Sequence, residues 1–247
     1  MASIDLNSDL GEGAGTEADL MPLISSANIA CGAHAGDPAT MRATIALAMA
    51  LGVRVGAHPG YRDPEHFGRR ALDLPGDLLR ADLAGQIGEL RAFAEAAGTR
   101  LTHVKAHGAL YNQGERDERM AELIASAVAA IDPALEVVAS PGSAMARAAA
   151  RAGLPLIREG FIDRAYEPDG TLRSRALPGA MVLGPAAAAA QALGFVRDGG
   201  VRATDGSFLP LTVDTLCLHG DSAGATRIAR AVRAAFEAAG IAVRAPA

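Results

Sequence analysis

Short runs rich in Val, Ile and Leu alternate with longer stretches whose apolar residues recur at helical spacing, and the alternation continues along the whole chain. That rhythm predicts βα units around a parallel sheet. About seven units can be read, with strands over roughly 3–7, 27–31, 53–57, 101–106, 135–139, 155–159 and 215–218. Helices are expected over roughly 38–51, 76–97, 116–130, 185–197 and 223–239, and an Ala/Arg-rich one ends near Gly153. Asp37 is placed to cap the helix that begins at Pro38, and Gly52 to close it. In the 76–97 segment Leu78, Leu79, Leu83, Ile87, Leu90 and Phe93 fall on one side. Asp221 and Ser222 could cap the last helix in the same way. Thr204 to Ser207, with Asp205-Gly206 central, reads as a hairpin turn. Between the sixth strand and the helix at 185 lies a Pro/Gly-punctuated excursion of about twenty residues, a length that usually signals function. The fold class expected is α/β, a seven-stranded parallel β/α barrel, with residues 1–247 as one domain.

The polar positions sharpen this picture. His103, Lys105 and His107 share one face of an extended strand, a poor surface for an apolar core. Asn112 follows them, and comparable groups recur at the other strand ends: Asp5, Asn7, Asp9 and Glu12; Asn28, His34 and Asp37; His58 and Asp63; Glu159, Asp163 and Arg164; His219 and Asp221. In a parallel barrel those ends form the active-site rim. Asp5, Asn7 and Asp9 alternate with Leu6 and Ser8, so the acidic and amide face would line the barrel while Leu6 packs outward. Carboxylates beside His34, His58 and His107 can act as general acid and base or hold a divalent cation, and both readings stay open. No H-E-x-x-H string or Cys/His cluster at metal spacing is present, so no tightly bound metal is expected; one, if held, would draw on Asp5, His34, His58 and His107. Lys105 can pair with a carboxylate or stabilise an oxyanion or phosphoryl group.

Composition narrows the class. Hydrophobic residues make up 50% of the 247 positions and charged ones 21%, which favours a folded core over disorder. Aromatics are 4%, Trp is absent and the formal net charge is −5, leaving neither stacking platforms nor a basic stripe for nucleic acid. Cys31 and Cys217 suggest buried thiols rather than a disulfide framework. No basic segment followed by an apolar run opens the chain, and the apolar stretch around Ala186 to Phe195 is too short to span a bilayer, so a cytoplasmic protein is expected. No G-x-x-x-x-G-K-[ST] loop offers a route to ATP.

Seven strings in order, DLNSDLGEG (5–13), SANIACGAHAGDP (26–38), GAHPGYRD (56–63), FGRR (67–70), VKAHGALYN (104–112), DRAY (163–166) and CLHGD (217–221), resemble those of the LamB/YcsF family. The resemblance spans essentially the whole chain. It implies a barrel similar to those of glycoside hydrolases and polysaccharide deacetylases. It also implies ATP-dependent opening of 5-oxoproline to L-glutamate, with ATP and Mg2+ used by a complex that includes partner subunits B and C; self-association is left open. In that scheme Asp9, Glu12, His58, Lys105 and His107 are catalytic. Asp9 or Glu12 activates water, Lys105 stabilises developing negative charge, and His58 or His107 protonates the ring nitrogen. Asn7, Asn28, His34, Arg70, Tyr111, Asn112, Glu159, Asp163, Arg164 and His219 contact substrate, with Arg70 or Arg164 holding its carboxylate. The family usually carries Phe at Ala33, Pro at Ala106, and Val and Ala at Gly160 and Ile162; these changes bear on pocket shape and leave the ionisable groups in place. Two other readings remain, a metal-dependent deacetylase-like hydrolase and a non-catalytic lactam-binding subunit.

Overall fold

The computed structural model describes residues 2–220 and 224–246, so the caps expected at Asp221 and Ser222 lie outside the described residues. In chain order the first half contains β1 (Ser3–Leu10), α1 (Glu17–Leu20), β2 (Ser26–Ala30), α2 (Pro38–Leu51), β3 (Arg54–His58), α3 (Gly76–Ala96), β4 (His103–Val104), α4 (Gly108–Arg116) and α5 (Glu118–Ile131). The second half contains β5 (Glu136–Ala139), α6 (Ala144–Arg151), β6 (Leu156–Phe161), α7 (Pro185–Leu193), β7 (Gly200–Arg202), β8 (Phe208–Pro210), β9 (Thr215–His219), α8 (Ala225–Ala238) and β10 (Ala242–Val243).

Strands β1 to β6 pair in sequence order, β9 follows β6, and β9 pairs back onto β1, which closes a seven-stranded parallel barrel. The expected β/α barrel is therefore present. Its local signals also hold: Asp37 accepts from Thr40 N at 2.7 Å, Gly52 ends α2 in the left-handed region, and β7 and β8 form the expected antiparallel hairpin.

The structure departs from the sequence reading in four places. The fourth strand, expected over 101–106, is regular only at His103–Val104, because the chain turns at His107 into α4, a helix the pattern does not predict. β1 runs to Leu10, so Asp9 sits within the strand. β10 is a further strand without a sequence signal and pairs with the start of β1 beside the closed ring. Leu78 is 62% exposed, whereas Leu79, Leu83, Ile87 and Leu90 face the barrel.

The main apolar core lies between the barrel and its helices. Leu6, Ile29, Ala57, Val104 and Leu216 point outward from the strands and meet α2, α3 and α8 through residues such as Ile45, Leu83 and Phe236. Because side chains alternate, that packing turns the other set inward, and the set is polar: Asp5, Asn7, Asp9, Asn28, His103, Lys105, Glu159 and Thr215 are all buried. Buried polar groups persist only when hydrogen-bonded or charge-paired, so the barrel interior must be a connected network.

Candidate active site

The inward side chains stack in tiers. At the amino-terminal end, Asp5 accepts from the hydroxyls of Ser25 (2.6 Å), Ser26 (2.8 Å) and Thr215 (2.6 Å), and burial raises its carboxyl above the usual pKa despite them. One tier up, Asn7 donates to Glu159 Oε1 (3.1 Å) and Thr215 Oγ1 (2.8 Å), while Asn28 donates to Asn7 Oδ1 and Asp9 Oδ1, each at 2.8 Å. Because an amide oxygen only accepts, His103 Nε2 donates to Asn28 Oδ1 at 2.9 Å. Burial, with the charges of Arg54 and Lys105, pushes the His103 imidazole down to about 3, so it stays neutral and buttresses this tier.

The top tier carries charged groups. Lys105 Nζ lies 2.8 Å from Glu159 Oε1, 3.1 Å from Asp9 Oδ1 and 3.0 Å from Cys217 Sγ. Burial opposes its charge, but Asp9, Cys217 and Glu159 outweigh burial and hold the ammonium well above the usual lysine range. Burial likewise opposes ionisation of Asp9, yet His58 and Lys105 hold its carboxyl well below the usual range. Cys217, expected as a buried thiol, is buried and is also a contact of Lys105.

Beside this network Glu12 meets three histidines. Its Oε1 is 3.0 Å from His34 Nε2, 3.3 Å from His107 Nδ1 and 3.7 Å from His58 Nε2. The outer nitrogens of two rings donate to backbone carbonyls, His58 Nδ1 to Lys105 O (2.7 Å) and His107 Nε2 to Phe67 O (2.8 Å). The inner nitrogens, His58 Nε2 and His107 Nδ1, are 3.0 Å apart, and His34 stacks on His107 with centroids 3.6 Å apart. Against its burial, the neighbouring His107 and His34 lower the Glu12 carboxyl to about 2, and burial lowers His34 to about 4. Phe67, whose carbonyl fixes His107, has φ 54, a strained conformation for a non-glycine residue.

On the opposite wall His219 Nδ1 lies 2.7 Å from Asp163 Oδ2. Burial opposes Asp163 ionisation, but the His219 charge and hydrogen bonds outweigh it and lower the carboxyl. Arg164, from the long connection after β6, donates to Arg173 O at 2.6 Å; burial and the nearby Arg175 lower its guanidinium to about 10.

A cavity of about 430 Å³ opens above these groups, within the usual range for small-molecule sites. Of the residues singled out from sequence, Asp9, His58, Lys105, His107, Tyr111, Asn112, Arg164 and His219 line it. Glu12, His34, Asn7, Asn28, Glu159 and Asp163 stand behind that lining as partners of those groups. Two expectations are corrected. Arg70 does not reach the cavity: its side chain is 57% exposed and donates to Asp63 Oδ1 at 3.2 Å. Asp5 cannot join the histidines in holding a metal, because it lies four residues below Asp9 on β1, about 13 Å at strand rise, in its own hydroxyl cage; Glu12 takes that place.

Sequence reasoning missed Arg69, Arg116 and Arg175, which make the rim basic together with Arg164. It also missed Glu115, which accepts from Ser140 N at 3.3 Å and which burial raises to about 7. Arg69 adjoins the residue that was chosen, and nothing in the string FGRR distinguishes the two. A larger concavity of about 720 Å³ at the amino-terminal end of the barrel includes Arg158 and Asp214, but these are paired to each other at 2.6 Å.

The matches to known proteins agree with this arrangement. The A component of the 5-oxoprolinase of Methylococcus capsulatus is 52% identical over 98% of this chain and 95% of its own length. Its counterpart from Chloroflexus aggregans is 49% identical over the whole of both chains. The crystal structure of a lactam utilization protein from Thermus thermophilus superposes with a TM-score of 0.94 at 46% identity, covering 99% of this chain and 100% of that one. A peptidoglycan deacetylase from Bacillus subtilis, at a TM-score of 0.50 and 10% identity over 99% of this chain and 87% of its own, shares the fold alone. The family model for LamB/YcsF matches residues 4–247, and the chain belongs to that family.

Proposed function

We propose that this chain is the ring-opening subunit of a cytoplasmic, ATP-dependent 5-oxoprolinase and works with partner subunits B and C to convert 5-oxo-L-proline to L-glutamate. The observation that carries the reading is the cavity itself, with an ionised Asp9 and a charged Lys105 on its floor and arginines at its rim. A small substrate with a carboxylate and a polar ring amide matches that distribution of charge. The names of the relatives support the lactam and the multi-subunit assembly.

A lactam resists water because its nitrogen is a poor leaving group and its carbonyl is resonance-stabilised. Phosphorylating the carbonyl oxygen with ATP and Mg2+, a step assigned to the partners, makes the ring carbon electrophilic. Water then adds to that carbon, and the C–N bond breaks with its electron pair leaving on nitrogen, which takes a proton. The resulting acyl phosphate is hydrolysed by a second water. Asp9, ionised and facing the cavity, accepts the proton of the attacking water. Lys105 stabilises the oxygen on which negative charge develops. The proton for the ring nitrogen is assigned to His219, oriented by Asp163, because His58 and His107 each give one N–H to a backbone carbonyl and turn the other nitrogen toward each other and Glu12. Arg164 holds the substrate carboxylate.

The test is ATP-dependent glutamate release by the reconstituted complex. Lys105→Ala and Asp9→Asn should abolish it. His219→Gln, a change at the cavity wall, should lower kcat by about 100-fold, at the low end of general-acid effects, with an unchanged circular dichroism spectrum. Near-normal turnover by His219→Gln removes it from proton transfer, and near-normal turnover by Lys105→Ala overturns the reading.

A further inference from the structure

The cluster of Glu12, His58 and His107 contains a hydrogen-bonding conflict that the proposed chemistry does not resolve. Backbone carbonyls only accept, so His58 carries its proton on Nδ1 and His107 carries its own on Nε2. With both rings neutral, that leaves His58 Nε2 and His107 Nδ1 facing each other at 3.0 Å as lone pairs. Glu12 Oε1, a third acceptor, lies 3.7 and 3.3 Å from them. These three buried acceptors converge beside a fourth, Asp9 Oδ2, which lies 3.3 Å from His58 Nε2, and the nearby His34 supplies a donor to Glu12 only. Such a convergence is costly unless a positive centre sits among the three atoms.

The spacing fits a cation. A tetrahedral site with ligands at about 2.1 Å has ligand–ligand edges of about 3.4 Å, and the three edges here are 3.0, 3.3 and 3.7 Å. An outer N–H donated to a backbone carbonyl is how ligand histidines are held in tautomer and orientation, and both rings have one. Formal charge points the same way. With His58 and His107 neutral, Asp9, Glu12 and Glu159 bring three carboxylates to this tier against the single ammonium of Lys105, an excess of two negative charges. His58 and His107 also line the cavity, so the cluster has an open side.

We propose that Glu12 Oε1, His58 Nε2 and His107 Nδ1 form a binding site for a divalent transition-metal cation, with His34 as a positioning residue that donates to Glu12. Two imidazoles and a carboxylate suit Zn2+, Co2+ or Mn2+ better than Mg2+ or Ca2+. A cation there would supply a Lewis acid to a carbonyl or phosphoryl oxygen in the cavity. The site stands apart from the lactam reading, since its occupancy is measured without turnover.

The chain is stripped with a chelator and titrated with Zn2+ by calorimetry and with Co2+ by visible absorption. One equivalent of each should bind, with Co2+ giving the d–d bands of a low-symmetry N/O site. Glu12→Gln should weaken binding by at least ~100-fold, and His34→Gln by about 10-fold through loss of the donor to Glu12, while Glu118→Gln on the surface of α5 leaves it unchanged. Should a variant fail to fold, the wild-type chain decides: imidazole nitrogen NMR should show the resonances of His58 and His107 moving on Zn2+ addition. Failure of the wild-type chain to take up either ion overturns the proposal. So does uptake that Glu12→Gln leaves unaltered, which marks adventitious ions. A spectrum in which His58 and His107 share a proton and ignore Zn2+ overturns it in favour of a proton as the positive centre.

Discussion

Glu115 shows how far one residue's environment can move its chemistry. It lies on α4 and accepts from Ser140 N; Ser143 also bonds to it, and Glu159 adds like charge from the barrel. Burial is the largest influence and raises its carboxyl from 4.5 to about 7. Because the folded pKa is the higher one, the folded state is fully favoured below pH 4.5 and loses that advantage as pH rises toward 7. At about 1.4 kcal/mol per pH unit, the penalty at pH 8 is about 3 kcal/mol. Glu115→Gln should therefore be more stable than the parent at pH 8 and no more stable at pH 4, as urea unfolding at both values would show; equal stability differences at the two pH values would exclude a raised Glu115. Nothing in the sequence announces this residue, since its helix has no signal there. Asp9 and Lys105 are legible because alternation along a strand assigns a face without tertiary knowledge. Arg70 and Arg69 are not separable, because their difference lies in which guanidinium finds Asp63.

Local rules place the elements whose signals lie within them, and fail where a neighbour decides the outcome. Helix α2 is readable to the residue because Asp37 and Gly52 mark its ends. The segment at His107 reads as strand, and Lys105 N and His107 N do continue to bond to Ala57 O and Pro59 O along β3 and just past it, but Gly108, with φ 54, then turns the chain into α4. The loop before α3 is equally dependent on tertiary contact. Gly68 has φ +61, and a Cβ on it would lie 2.8 Å from His34 Cβ and 2.9 Å from His107 Cδ2. Gly240, at the end of α8, has φ +67 but no heavy atom within 4 Å of such a Cβ. Gly240→Ala should thus cost only the backbone strain, about 1–2 kcal/mol in urea unfolding, and leave glutamate release intact. Gly68→Ala should cost more and also cut kcat of the complex, because the two stacked rings must move. Equal effects of the two substitutions on kcat would show that the loop does not position the histidines.

Closure of the barrel is what turns scattered strand ends into one site. Asn7 and Thr215, at opposite ends of the chain, meet at 2.8 Å only because β9 returns to β1. The seven-unit rhythm makes that closure foreseeable, whereas β10 is too short to leave a pattern and the basic rim draws on connections whose paths no periodicity fixes. Among the described residues no helix is long and apolar enough to cross a membrane. At this scale the proposed division of labour becomes testable. The cavity offers a basic rim and an ionised floor, which the proposed opening of an activated ring would use, while the sequence lacks the G-x-x-x-x-G-K-[ST] loop that cradles nucleotide phosphates. Mixed with ATP, Mg2+ and 5-oxoproline, the isolated chain should release neither glutamate nor phosphate above the buffer rate, and addition of subunits B and C should start both together. Within the complex, Arg164→Gln should raise KM for 5-oxoproline at least tenfold with a smaller effect on kcat, since it removes a contact to the part of the substrate that does not react. Glutamate release by the isolated chain would place the phosphorylation step inside this barrel, and an unchanged KM in Arg164→Gln would move the substrate carboxylate to another of the rim arginines.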